Sequence, residues 1–247
     1  MRSSGRPIAN AWLSIGSSYA AEVIAHQGFD AVTVDCQHGM MDFGTAVAML
    51  QAISSTRAVP FVRPSQNDAA EIMRLLDAGA YGIICPMVSN RADAQRLVQC
   101  CRYPPAGTRS FGPARGLLYG GPDYLEHANE EILVLAMIET AEGLENVDEI
   151  VATPGIDGVY IGPNDLALGL GRTPMAESED VLVVEAIARI RKAASSRGLI
   201  AGIFCSGARA AAARVAEGFH LVTPGNDAGA LRLVFGDAVK AIHGASA

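Results

Sequence analysis

Four times along this chain a helix-like segment runs into a glycine and, within a few residues, into a β-branched stretch. The joins are His26-Gln27-Gly28-Phe29-Asp30-Ala31-Val32, Asp77-Ala78-Gly79-Ala80-Tyr81-Gly82-Ile83, Thr153-Pro154-Gly155-Ile156-Asp157-Gly158-Val159 and Glu217-Gly218-Phe219-His220-Leu221-Val222. Glycine ends a helix in left-handed geometry at little cost, and the strand formers behind it start an extended segment. A chain that keeps repeating this join is an alternating β/α chain, with parallel strands and helical crossovers.

Eight short apolar runs carry the pattern, near residues 11–16, 29–35, 59–64, 81–87, 132–139, 156–162, 199–205 and 220–224. Between them lie stretches of helical spacing, among them Thr45 to Ile53, Asp68 to Ala78, Arg91 to Cys100, Val181 to Ser195 and Ala208 to Glu217. Eight such units with no break in composition predict a single (β/α)8 barrel domain, a TIM barrel spanning residues 1–247. A doubly wound open sheet is the alternative, because strand count alone does not prove closure. One connection is out of scale. The segment 102–130, rich in Gly, Pro and Arg, follows the fourth βα unit and is too long for an ordinary join, so it is either a functional lid, the favoured reading, or a surface insertion.

The bulk properties exclude some partners. Lys and Arg number 19 against 26 Asp and Glu, a net charge of -7, which disfavours a nucleic-acid or anionic-membrane partner. Five cysteines without a Cys-x-x-Cys spacing argue for a reducing compartment and against a zinc site or disulfide framework. The N-terminus, Met-Arg-Ser-Ser-Gly-Arg-Pro, leads into an apolar run too short for a signal peptide or a membrane span, so a cytoplasmic location is expected.

In a barrel of this kind the chemistry sits after the strands, and the polar residues fall there. Glu139 closes the run Ile-Leu-Val-Leu-Ala-Met-Ile-Glu, and Asp165 follows Val-Tyr-Ile-Gly-Pro-Asn. Buried carboxylates must be paired or bind a metal, and two oxygen donors on neighbouring parallel strands suit a hard divalent cation that keeps waters and takes substrate oxygens. His38 can give or take a proton near neutral pH, and Asp35, three residues earlier, is placed to orient its ring. Arg63 ends Val59-Pro60-Phe61-Val62 and stands at the barrel mouth, where it can stabilise an oxyanion, bind a carboxylate or pair with a rim acid. The Gly162-Pro163-Asn164-Asp165 turn opens towards a helix whose free N–H groups can hold an anion. Only Lys192 and Lys240 are present, both on helices away from the rim, so Schiff-base chemistry has no nucleophile there.

Taken together, Val34-Asp35-Cys36-Gln37-His38-Gly39, Phe61-Val62-Arg63-Pro64, Arg102-Tyr103-Pro104-Pro105 with Gly107 and Arg109, Ile138-Glu139-Thr140 and Ile161-Gly162-Pro163-Asn164-Asp165-Leu166 resemble the HpcH/HpaI aldolases. The likeness runs from about Trp12 to about Asp227. It implies a class II pyruvate aldolase, an aldehyde-lyase that reversibly cleaves 4-hydroxy-2-oxo acids to pyruvate and an aldehyde through a pyruvate enolate. It implies a divalent metal, Mg²⁺ or Mn²⁺ with Co²⁺ as a third candidate, held by Glu139 and Asp165. His38 would be the general base, Arg63 the enolate stabiliser, and the backbone at Asn164 and Asp165 the carboxylate site. Asp77 matches a family acid that raises the histidine's basicity, yet it closes a helix at the far end of its own barrel and could reach only a neighbouring subunit's site. The resemblance also implies a homohexamer that exchanges its last helix between subunits. Gln37 stands where some members have Glu, and Met137 where some have a substrate-binding Gln; with Phe204 after strand seven, these residues leave the aldehyde open. An acyl-CoA lyase of the citrate lyase or malyl-CoA lyase type, with Arg109 and Arg115 in a CoA groove, and a non-catalytic metal-binding barrel are the competing readings.

Overall fold

The computed structural model describes residues 6–175 and 177–244. The first five residues, on which part of the leader argument rests, lie outside them. Eight parallel strands close into a barrel in chain order: β1 Ile8–Leu13, β2 Ala31–Asp35, β3 Val59–Arg63, β4 Gly82–Cys85, β5 Leu133–Ile138, β6 Gly158–Ile161, β7 Ile200–Phe204 and β8 Leu221–Thr223. Pairing of Ile8 with Leu221 and Ala9 with Val222 joins the last strand to the first, which excludes the open sheet. The helices α1 Ser18–Ala25, α2 Phe43–Ile53, α3 Ala69–Asp77 and α4 Arg91–Cys101 follow the first four strands. Helices α5 Gly116–Gly120 and α6 Tyr124–Glu131 precede β5; α7 Ala141–Glu145 and α8 Val147–Val151 follow it. The remaining four are α9 Pro163–Gly169, α10 Val181–Ser195, α11 Ala208–Ala216 and α12 Asp227–His243. Among the described residues no helix is long and apolar enough to cross a membrane.

Strand residues divide by the alternation of the pleat. Leu13, Val32, Val34, Val62, Ile83, Val134, Ile161 and Ile203 face outward and are covered by the helices. Ile8, Trp12, Phe61, Leu135, Met137, Tyr160 and Leu221 fill the barrel interior. The interior admits these large rings because glycines face them: a Cβ on Gly82 would lie 2.4 Å from Phe61, and one on Gly202 would lie 2.8 Å from Tyr160. The four joins behave as their sequence dictates, with Gly28, Gly79, Gly155 and Gly218 at φ between 89° and 103°.

Two expectations need correction. The first strand begins at Ile8 and ends at Leu13, three residues earlier than the apolar run suggested. Asn10, a polar residue that interrupts the apolar pattern, faces the interior, where its amide hydrogen-bonds the buried Thr33 and Thr223 hydroxyls, each at 2.9 Å. The segment 102–130 is not a lid on its own site. It follows α4, so it lies where strands begin: Arg102 binds the Ile132 carbonyl and Asp157, at 2.7 and 2.8 Å, and Arg115 N–H donates to the Asp77 carbonyl at 2.9 Å. It also carries α5 and α6 instead of being one open loop.

Candidate active site

The mouth at the C-terminal ends of the strands holds a cavity of about 250 Å³ lined by Trp12, Ser14, Asp35, His38, Arg63, Met137, Tyr160, Gly162, Pro163, Asn164, Asp165, Phe204 and Asn226. Register builds its charged floor, because β2 and β3 pair Asp35 directly with Arg63. The guanidinium grips the carboxylate in a fork, Nε to Oδ1 at 2.8 Å and Nη2 to Oδ2 at 2.6 Å. Both residues are buried, Asp35 2% and Arg63 6% exposed. Asp35 also accepts from Trp12 Nε1 at 3.1 Å and from the backbone N–H groups of Gln37 and His38, at 3.1 and 3.2 Å. Burial by itself raises its pKa, but the Arg63 fork and these further donors outweigh it and hold the group below the usual carboxylate value. Asp35 is therefore the clamp for Arg63 and the cap of the loop bearing His38. It makes no hydrogen bond to the His38 ring, which stands exposed at the mouth, so ring orientation by Asp35 is corrected to anchoring of the loop.

Glu139 rises to the rim because β5 ends at Ile138 and Thr140 caps α7, its hydroxyl accepting from Gly143 N–H at 2.9 Å. Its Oε1 takes the Met87 N–H at 2.8 Å. Met87 presents that N–H from a left-handed backbone, φ 56°, which a non-glycine residue adopts only at some cost. Oε2 faces Gly162, where a Cβ would sit 2.8 Å from it and 2.7 Å from Met137 Cε. Asp165 and Asn164 open the first turn of α9, with Pro163 at its start, so their N–H groups have no intrahelical acceptor. Burial, then the charge of Asp165, pushes the Glu139 carboxyl up to about 7, with the Met87 N–H and Arg63 opposing.

These features fit a divalent cation. Among the described residues Glu139 Oε2 accepts no hydrogen bond, Gly162 beside it carries no side chain, and a second carboxylate, Asp165, lines the cavity. Among the described residues no three His, Cys, Asp or Glu side chains converge as a metal-binding group, so a cation here would complete its shell with waters and substrate oxygens, the habit of Mg²⁺-like ions.

The other sequence-derived candidates divide. Met137 and Phe204 line the cavity, as expected. Asp77 does not join the site; it ends α3 and pairs with the buried Arg109 at 2.8 Å. Burial raises its pKa, and Arg109 only partly offsets this. Arg109 and Arg115 are also absent from the mouth, the latter donating to the Ala78 carbonyl at 2.9 Å, so they form no CoA groove there. Sequence reasoning missed Trp12, which reads as an ordinary core aromatic. It also missed the Met87 N–H, a backbone group that no residue pattern marks.

A closed parallel barrel with carboxylates, an arginine and a histidine gathered at its C-terminal mouth defines an enzyme scaffold whose chemistry resides in the βα loops. The HpcH/HpaI aldolase/citrate lyase family model matches residues 9–232. A hydroxypyruvate/pyruvate aldolase of Rhizorhabdus wittichii is 49% identical over 238 residues, 95% of each chain. A 4-hydroxy-2-oxo-heptane-1,7-dioate aldolase of Shigella flexneri is 40% identical over 201 residues, 79% of this chain and 75% of that one. The crystal structure of an HpcH/HpaI aldolase/citrate lyase family protein from Burkholderia cenocepacia superposes with a TM-score of 0.90 at 31% identity, covering 98% of this chain and 97% of the other. The chain belongs to the HpcH/HpaI aldolase/citrate lyase family.

Proposed function

We propose that this aldolase works at the C-terminal mouth of its barrel with a divalent cation, Mg²⁺ or Mn²⁺, held by Glu139 and Asp165. The chain is an aldolase, a carbon–carbon lyase that takes 4-hydroxy-2-oxo acids to pyruvate and an aldehyde and runs the reverse addition. The observation that supports the site assignment is that Asp165, His38 and the Asp35-clamped Arg63 line one cavity, with the Glu139 carboxylate just behind the Gly162 wall of that cavity. When bound, the cation supplies Lewis acidity to the ketone and carboxylate oxygens of the 2-oxo acid.

The residues of the chain do the rest. The N–H groups of Asn164 and Asp165 receive the substrate carboxylate. His38 takes the proton of the 4-hydroxyl; the C3–C4 bond breaks, the aldehyde leaves, and the electron pair passes into the pyruvate enolate, whose C3 then receives a proton back from His38, directly or through water. Arg63 donates to the ketone oxygen, where negative charge grows only as the bond breaks. Trp12, Tyr160, Met137 and Phe204 form the apolar wall that limits water.

Further proposals concern the assembly. The chain forms a homohexamer in the cytoplasm, with α12 exchanged between subunits. The support is that α12 leaves Leu231, Leu233, Val234, Phe235, Val239 and Ile242 exposed. Any catalytic part for Asp77 is played at a neighbouring copy's mouth.

Pyruvate release from a panel of 4-hydroxy-2-oxo acids, followed with and without EDTA, tests the reading. Activity should vanish with chelator, return with Mg²⁺, Mn²⁺ or Co²⁺, and be indifferent to borohydride added with pyruvate. Full turnover in EDTA, or a borohydride-trapped adduct, would overturn it.

A further inference from the structure

The indole of Trp12, the only tryptophan in the chain, touches the groups that set the charge of the pocket floor. Trp12 is 4% exposed, at the last inward-facing position of β1. Its Nε1–H donates to Asp35 Oδ2 at 3.1 Å, and its ring lies 4.8 Å from the Arg63 guanidinium carbon. Tyr160 stacks on the ring at 5.4 Å and 27°, and Phe204 meets it edge-on at 5.9 Å and 86°. Tyr160 is itself fixed from below, its hydroxyl donating to Thr223 Oγ1 at 2.7 Å. The ring is thus braced by the barrel interior and cannot move aside.

What this bracing does follows from the geometry of the ion pair. Arg63 spends Nε and Nη2 on Asp35, and among the described residues Nη1 makes no hydrogen bond. A fork of two parallel hydrogen bonds fixes the spacing and in-plane alignment of the two groups, and folding of one plane against the other is the motion it resists least. The indole restrains that motion from both sides of the pair: its N–H fixes the carboxylate, and its ring supports the guanidinium, an attraction that strengthens when water is excluded.

We propose that Trp12 is a positioning residue for Arg63, holding the Asp35–Arg63 pair so that Nη1 is presented to the ketone oxygen of the substrate. The inference rests on the enolate role given to Arg63 above. A misdirected Nη1 weakens stabilisation of developing charge more than it weakens binding, so loss of Trp12 lowers kcat and spares KM.

The test is a double-mutant cycle on the full-length, metal-loaded protein, with fluorescence as an activity-independent arm. Trp12→Phe keeps an aromatic ring against Tyr160 and deletes the N–H. It should lower kcat by about tenfold, close to the lower end of what a hydrogen bond to a charged group contributes, and change KM by less than about twofold. In an Arg63→Ala background the same substitution should cost nothing more in kcat, because the group it positions is gone. In Arg63→Ala with Trp12 intact, the emission of the sole tryptophan should change in maximum or intensity. An equal loss from Trp12→Phe in both backgrounds would show that Trp12 acts independently of Arg63, and the inference would fall while the enolate role stood. Unchanged emission in Arg63→Ala would also overturn it. An Arg63→Ala enzyme with undiminished kcat would instead remove the enolate role, and the inference with it.

Discussion

Glu139 is a carboxylate kept almost dry, 3% exposed, with its pKa raised to about 7 where a free glutamate has 4.5. In metal-free protein the folded state therefore binds this proton more tightly than the unfolded chain does. The associated stability is fully present below pH 4.5 and is lost as pH rises through about 7, on the order of 3 kcal/mol at completion. Thermal denaturation of chelated protein should thus show Tm falling between about pH 5 and 8, and Glu139→Gln should flatten that slope. Equal slopes in the two proteins would mean that the Glu139 carboxyl is not held proton-hungry by the fold. At this scale the sequence was most legible where a side chain follows a strand directly: Glu139, Asp165, Arg63 and His38 all line or border one mouth. It was least legible where the partner is chosen by register or comes from the backbone. Asp35 serves Arg63, not the His38 ring, because β2 and β3 set the two side by side, and Met87 contributes only an N–H.

The junctions between elements carry more than connection. Asp227, the first residue of α12, folds back so that Oδ1 accepts from Ser14 N–H and Oγ at 2.8 and 2.9 Å, while Oδ2 accepts from Ile15 N–H at 3.1 Å. The turn after β1, part of the pocket wall, is in this way tied to the start of the last helix. Replacing Asp227 by Ala would leave two backbone donors short of acceptors, and we expect a loss of about 2 to 4 kcal/mol, measured by denaturant unfolding, with Asp227→Asn losing less. No loss on Asp227→Ala would show that water satisfies the turn equally well. Elements as such were readable because glycine joins and helical spacing are local signals. The start of β1 was not, since Asn10 is polar for a tertiary reason, its partners Thr33 and Thr223 lying on other strands. Nor does composition reveal which end of a barrel a long segment occupies; for 102–130 that follows from its place after a helix and before β5.

At the scale of the whole molecule the barrel's two ends do different work: ion pairs such as Arg102–Asp157 and Arg109–Asp77 knit the end where strands begin, and the other end holds the chemistry. The last helix belongs fully to neither. α12 meets its own barrel at β1 yet keeps a row of apolar side chains in solvent, a face that a second copy would cover. The double substitution Val234→Glu and Phe235→Glu should lower the oligomer mass seen by sedimentation and make Tm depend more steeply on protein concentration. A wild-type chain sedimenting as a monomer would end the exchange proposal. Gly162 finally decides in which directions such an enzyme can diverge. With the ends of Met137 and Glu139 in the space a β-carbon would need, remodelling that wall shifts the carboxylate beside it. New substrate preferences arise more readily across the cavity, at the half-buried Phe204, where a change of ring reaches the charged floor only through its edge-on contact with Trp12.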